Sequence, residues 1–279
     1  MMHTRRPARW MSIALLTVAA IAFAFPFYFM VVGAFQENPT NSPASLIPTG
    51  GWTWDNFVRI DSRIDLLGSL ANSLIFTGGV LLGTVVFGLL AGFALARLDF
   101  RGRGVLWVLM MLVQMVPFQL LMIPLYVQIT RSYGLGDSYA GMILPFAINT
   151  TAVFIFTQFF RSLPAEIFEA ARIDGAGELR TLVSMAVPLI RPVLVTVILV
   201  TFIGPWNEFL WPFLITKDAA LQPLAVSLAN YISNVAQSTA NPNGAILAGA
   251  TALALPVVVL FVVFQRFFTA TDLGAAVKG

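Results

Sequence analysis

Cysteine is absent, so the chain has no disulfide framework, no thiolate nucleophile and no cysteine-bound metal. Histidine occurs once, at His3 in the N-terminal tail, which leaves neither a histidine zinc site nor a Ser/His catalytic pair in the interior. Lysine is nearly missing too. Lys217 and Lys278 are the two in the chain, and neither follows the glycine spacing of a phosphate-binding loop. No metal or nucleotide is expected to bind here, and any ATP hydrolysis belongs to another polypeptide. Charge of either sign is scarce, at 10% of 279 residues against 58% hydrophobic. A mean hydropathy of +0.84 exceeds what a soluble core requires, so the chain reads as an integral membrane protein. The net charge of +3 does not point to nucleic acid, because the basic residues form no patch interleaved with stacking aromatics.

What is present is a series of apolar runs separated by short polar stretches. The first, from about Trp10 to Phe35, is longer than the ~7 to 15 residues of a signal-peptide core, and a retained helix is favoured over a cleaved one. A polar outer segment follows to about Gly68 and carries Trp52-Thr-Trp54, suited either to the lipid interface or to packing within the loop. Further spans are expected at about Leu70–Leu95, Val105–Ile129, Ala140–Phe160, Val193–Ile215 and Ala245–Phe268. Gly78, Gly79, Gly83, Gly88 and Gly92 give the second span small faces for close packing. Pro117 and Pro124 kink the third, where Gln114 and Gln119 are polar. In the fourth, Asn149, Thr150 and Thr151 fit a solute path or interhelical hydrogen bonds equally well. Glu208, in the fifth, is the only acidic residue within these spans, and a carboxylate there is costly unless it faces water or a partner. It reads as a hydrogen-bond hub with Asn207, as a cavity residue, or as a proton carrier.

The most charged stretch lies between the fourth and fifth spans, where Glu166, Glu169, Arg172, Asp174, Glu178 and Arg180 fall close together. Pro164 suits the start of a helix and Glu166 and Glu169 its positive end, while Asp174-Gly175 is a turn pair. Gly175 takes a positive φ at little cost, so two short helices with a reversal between them are expected. Ala170, Ala171 and Ala176 keep this knob slim.

Glu169, Ala170, Ala171, Gly175 and Pro188 match the EAA pattern that resembles ABC-importer permeases, and Asp174 and Ala176 fit its common Asp-Gly-Ala form. Leu182, Met185 and Val187 are mild departures. The runs NSLIFTGG, ALARLDFRGRG, MIPLYVQITRSYGLGDSYAGMILPF and WNEFLWP, with a Lys278-Gly279 ending, are similar to the carbohydrate, maltose-type branch. Thr271 and Asp272 depart from its glycine-rich tail. The resemblance implies an all-α polytopic protein of six transmembrane helices with the type I importer permease fold. It implies a non-catalytic subunit forming half of a translocation pathway for a sugar or sugar derivative. Residues Glu166, Glu169, Ala170, Ala171, Arg172, Asp174, Gly175 and Ala176 would then dock on a separate ATPase, and Gln114, Gln119, Asn149, Asn207 and Glu208 would border the solute path. The partners implied are two copies or a dimer of ATP-binding subunits carrying ATP and magnesium, a second homologous permease, an extracytoplasmic sugar-binding protein and the lipid bilayer.

Six spans put both termini on one side. Only Arg59, Arg63, Arg131 and Lys217, of sixteen basic residues, lie opposite, so the termini and the knob are cytoplasmic by the positive-inside rule. The expected division is residues 1–69 as tail, first helix and outer loop, 70–268 as core containing the coupling loop 161–192, and 269–279 as cytoplasmic tail, in a prokaryotic plasma membrane. The alternative is a proton-coupled secondary carrier using Glu208, but internal repeats and a set of intramembrane ionisable groups are not evident.

Overall fold

The computed structural model describes residues 6–40, 51–236 and 242–276, with side chains over 10–40, 51–236 and 242–265. Among these residues there is no strand, only one isolated bridge between Gln36 and Trp52. The expected tail residues from Val277 onward, Lys278 included, lie outside the described residues.

Among the described residues three helices are long and apolar enough to cross a bilayer on their own: Trp10–Ala34 within α1 (Arg6–Ala34), α3 (Leu66–Arg97), and Asn243–Gln265 within α14 (Asn243–Ala276). Three more apolar stretches are pairs of helices bent at a short break, which makes six spans if each pair is one. α4 (Arg103–Gln114) and α5 (Phe118–Val127), which continues as a π turn to Ser132, meet at 98°. The expected kink in the third span is therefore nearly a right angle. Pro117 explains the break, since it disfavours helical backbone at Val116 and supplies no N–H to continue the first helix. α6 (Tyr139–Ile143), extended by a 3₁₀ turn to Phe146, meets α7 (Thr150–Ser162) at 47°.

The chain divides into two compact units. The first comprises Met1–Leu67 and Ser227–Pro256, and its core gathers Ala34, Ile60, Leu228, Tyr231, Ala245 and Ala248. Much of the expected outer loop is a helix here, α2 (Asp55–Ile64), with Asp55 in its first turn and Arg63 in its last, favourable at the two poles of the helix. Buried Asn56 anchors it by donating to the carbonyls of Ala34 (2.9 Å) and Gln36 (2.7 Å). Trp54 meets Phe35 edge-to-face at 4.8 Å, so the loop aromatics pack on one another. The segment after Lys217, also read as loop, contains α13 (Leu224–Asn230). Asn243, read as part of a turn, begins the last helix, which runs past Phe268 to Ala276.

The second unit comprises Gly68–Val226 and Val257–Gly279. Its α3 packs against α7 through glycines. A Cβ on Gly92 would lie 2.7 Å from Phe156 Cβ and 3.2 Å from the Thr157 backbone nitrogen, whereas one on Gly78 would meet nothing within 4 Å. Gly92→Ala is therefore expected to force the helices apart and cost about 1 to 3 kcal/mol. Gly78→Ala should leave stability unchanged or raise it slightly, because alanine is the better helix former. Thermal denaturation of the detergent-purified variants distinguishes these outcomes.

Candidate functional site

The charged stretch folds as a closed knob. α8 (Ala165–Ile173) begins directly after Pro164, with Glu166 in its first turn and Arg172 in its last. Gly175 has φ +72°, and two bonds close the helix end: Ala176 N–H donates to Ala171 O at 2.9 Å, and Gly175 N–H to Arg172 O at 3.1 Å. This six-to-one, five-to-two pattern is a Schellman motif, which requires a left-handed residue where Gly175 stands. After the reversal α9 (Glu178–Thr181) continues through a π turn into α10 (Val187–Leu189). An 83° bend at Ile190, between Pro188 and Pro192, leads into α11 (Arg191–Asn207). Across the loop Arg172 pairs with Glu178 at 3.4 Å, but both are substantially exposed, so the pair adds little stability.

Of the residues singled out in the knob, Glu166, Glu169, Ala170, Arg172, Asp174 and Gly175 are exposed, Ala176 is half-buried and Ala171 is fully buried. Ala171 and Phe168 form the inner face of α8. Two apolar side chains go the other way: Ile173 is 86% and Leu179 65% exposed at the tip. Sequence reasoning passed over both, although Ile173 falls off the Phe168–Ala171 face of α8 by helical spacing; Leu179 lies on the short helix after the turn, which has no such face to read.

Arg97, which sequence reasoning met only within the ALARLDFRGRG run and among the basic residues that set orientation, has a larger part. Arg97 forks onto the carbonyls of Phe160 and Leu163 at the end of α7, and its guanidinium lies 4.1 Å over the Phe168 ring. It thereby ties α3 to α7 and to the knob. The signal was an arginine in the last turn of a long apolar helix, where the last-turn carbonyls of a neighbour lack partners of their own.

A second feature of this unit is a cleft of about 380 Å³, bordered by Asn149, Thr150, Thr151, Thr201, Gly204 and Glu208 among others. It lies where two helices break, at the start of α7 and at the end of α11, before α12 (Leu210–Ile215). Asn149 caps α7, its Oδ1 accepting from Ala152 N–H at 3.0 Å. Glu208 Oε1 accepts from Trp211 N–H at 3.1 Å. Of the three readings of Glu208, the hub with Asn207 is not what forms: the Asn207 amide donates to Ile203 O at 2.9 Å, within its own helix, and Asn207 does not line the cleft. Gln114 reaches the cleft wall indirectly, through a 3.1 Å bond to Thr151 Oγ1. Gln119 is exposed in the first turn of α5 and does not line it. Thr201 and Gly204 are additions that composition could not single out.

Polar contacts brace the far end of the unit. Tyr139 O–H donates to Asn72 Oδ1 at 2.6 Å, and Asn72 Nδ2 donates to Ala220 O at 2.9 Å. Asp137 Oδ1 accepts the backbone N–H groups of Asp218 and Lys217, which hold its carboxyl below the usual carboxylate range. Among the described residues no group of His, Cys, Asp and Glu could hold a metal ion.

The family described as "Binding-protein-dependent transport system inner membrane component" is matched over residues 84–273. Over 273 residues the chain is 32% identical to the arabinooligosaccharides transport system permease protein AraQ of Halalkalibacterium halodurans, covering 95% of this chain and 96% of that protein. It is 30% identical over 276 residues to the sn-glycerol-3-phosphate transport system permease protein UgpE of Yersinia enterocolitica, covering 96% and 97%. A solved chain of a bacterial ABC transporter involved in import of the acidic polysaccharide alginate superposes with a TM-score of 0.84 over 96% of this chain and 99% of that one. At 23% identity that likeness speaks to the fold.

Proposed function

The chain belongs to the family of binding-protein-dependent transport system inner membrane components, and from that premise we propose that it is one permease subunit of an ATP-driven sugar importer, docking on its ATPase through the Glu166–Ala176 knob. Members of this family are non-catalytic membrane subunits, which work with an ATPase and a solute-binding protein. ATP and magnesium would sit on a pair of ATP-binding subunits at the cytoplasmic side, where both termini of this chain also lie. A second, homologous permease would complete the pathway and cover part of α4, none of whose residues is buried in this chain.

The observation that carries the docking assignment is the knob itself. A Schellman-closed tip holds Glu166, Glu169 and Asp174 exposed beside bare Ile173 and Leu179, in a segment whose charge keeps it out of lipid. A rim in which the exposed acids Glu166, Glu169, Asp174 and Glu178 outnumber the exposed Arg172 and Arg180, around an apolar tip, suits a cleft with a basic edge, where Glu169 makes a charge-assisted contact. Arg97 fixes the root of the knob to α3 and α7, so displacement of the tip by ATP-driven closure is passed to those helices as a rigid-body movement. The solute path would run along the cleft that holds Asn149 and Glu208, with Gln114 supporting Thr151; Gln119 and Asn207 would serve the path only outside that cleft. Arabinooligosaccharides, glycerol phosphate and alginate are named for the similar proteins, and a sugar or sugar derivative is the class they share.

Uptake into vesicles tests this reading against a proton-coupled carrier. Accumulation should require ATP inside and the solute-binding protein outside, and Glu169→Lys should lower it about tenfold or more while the amount of chain in the membrane is unchanged. Accumulation driven by a proton gradient without ATP would overturn the reading.

A further inference from the structure

The cleft carries a sign. Among the described residues Glu208 is the only charged one that borders it, and the side chamber that shares Asn149, Thr151, Val200 and Thr201 with it adds no charge from them. The opposing influence is the N-terminus of α7, equivalent to roughly half a positive charge, part of which the Asn149 cap already satisfies. A full carboxylate outweighs it. Among the described residues one bond reaches Glu208, from the Trp211 N–H behind it, and its second oxygen is available to a hydroxyl or to a cation in the cleft.

We infer that Glu208 makes this cleft a filter against anions: the solute it passes is an uncharged or amine-bearing sugar, and phosphorylated or uronic sugars are turned away. The inference rests on the reading of the cleft as solute path. It divides the solutes named for similar permeases, since arabinooligosaccharides are neutral whereas glycerol 3-phosphate and alginate are anionic. Within a few ångströms of an unpaired carboxylate in a narrow site, a cation is favoured over an anion of equal size by about tenfold or more.

The absence of cysteine allows this to be measured directly. In the assembled importer, Gly204→Cys places one thiol of this chain on the cleft wall, one helical turn before Glu208, where an added Cβ meets nothing within 4 Å. Its modification by trimethylammonioethyl and by sulfonatoethyl methanethiosulfonate is followed as a mass shift of this chain. Any effect of Glu208 on the thiol's own ionisation acts on both rates and cancels in their ratio. The expected cation-to-anion ratio is about tenfold or more above that of a free thiol in solution, and it should fall to the free-thiol value when Glu208→Gln is added. A ratio equal to the free-thiol value, or one that Glu208→Gln leaves unchanged, overturns the inference. Capping the thiol should also block ATP-driven uptake of arabinotriose. If capping blocks uptake but the ratio is flat, the path stands and the filter fails. If the ratio holds but capping leaves uptake intact, the cleft is not the path, and the inference falls with that reading.

Discussion

Gly175→Pro is expected to reduce solute-stimulated ATPase activity of the assembled importer to its unstimulated level, with the chain still inserted and abundant. The native φ is +72°, and proline fixes φ near −65° while removing the N–H that bonds to Arg172 O. Both Schellman bonds go, so the tip can no longer turn back toward Glu178. The graded series separates backbone shape from bulk. A Cβ at Gly175 would meet nothing within 4 Å, so Gly175→Ala carries only the left-handed penalty of roughly 1 to 2 kcal/mol and should couple partially. Gly175→Asn, which tolerates this conformation better, should couple better than alanine. Equal activity for proline and asparagine would mean that the turn does not shape the docking surface.

Arg97→Leu is the second large effect. Its side chain serves the carbonyls of Phe160 and Leu163 and covers the Phe168 ring, and leucine keeps some of the packing while abandoning both carbonyls. Hydrogen bonds to a charged group contribute about 1.5 to 3 kcal/mol each, so the root of the knob should loosen by several kcal/mol. Coupled transport should fall about a hundredfold, and protease cleavage between Leu163 and Glu178 should accelerate. Arg97→Lys, which keeps the charge but not the planar fork, should fall between leucine and the native chain. Unchanged proteolysis in Arg97→Leu would remove Arg97 from the account.

The knob was legible because its determinants are local. Glu166 to Ala176 carry their own turn chemistry, and a cluster of charge between two apolar runs has few places to go. The apolar runs were legible for the same reason, since length and hydropathy alone place them. What escaped depends on neighbours far along the chain. α2 is short and mixed in polarity, and its helix becomes evident only when Asn56 meets Ala34 and Gln36. The bend at Pro117 could be located in the sequence, but its 98° depends on what α5 packs against. Glycines on one helix look alike until a partner approaches: Gly92 is closed in by Phe156 and Thr157, and Gly78 is open. Glu208 was conspicuous as a lone intramembrane acid, yet its partner proved to be the Trp211 backbone rather than Asn207, because the helix ends at Asn207 and the carboxylate turns to the next one. Arg97 was hidden by the abundance of arginines around it.

The central claim is that the exposed tip of the knob seats in the ATPase and moves with it. Ile173→Cys in this cysteine-free chain places one reporter thiol at that tip, and labelling it with a maleimide-benzophenone before illumination of the membrane-bound importer reports what lies against it. The account predicts an adduct with the ATP-binding subunit whose yield changes when ATP is added. Adducts with lipid alone, or none with any ATP-binding subunit in either condition, would contradict it.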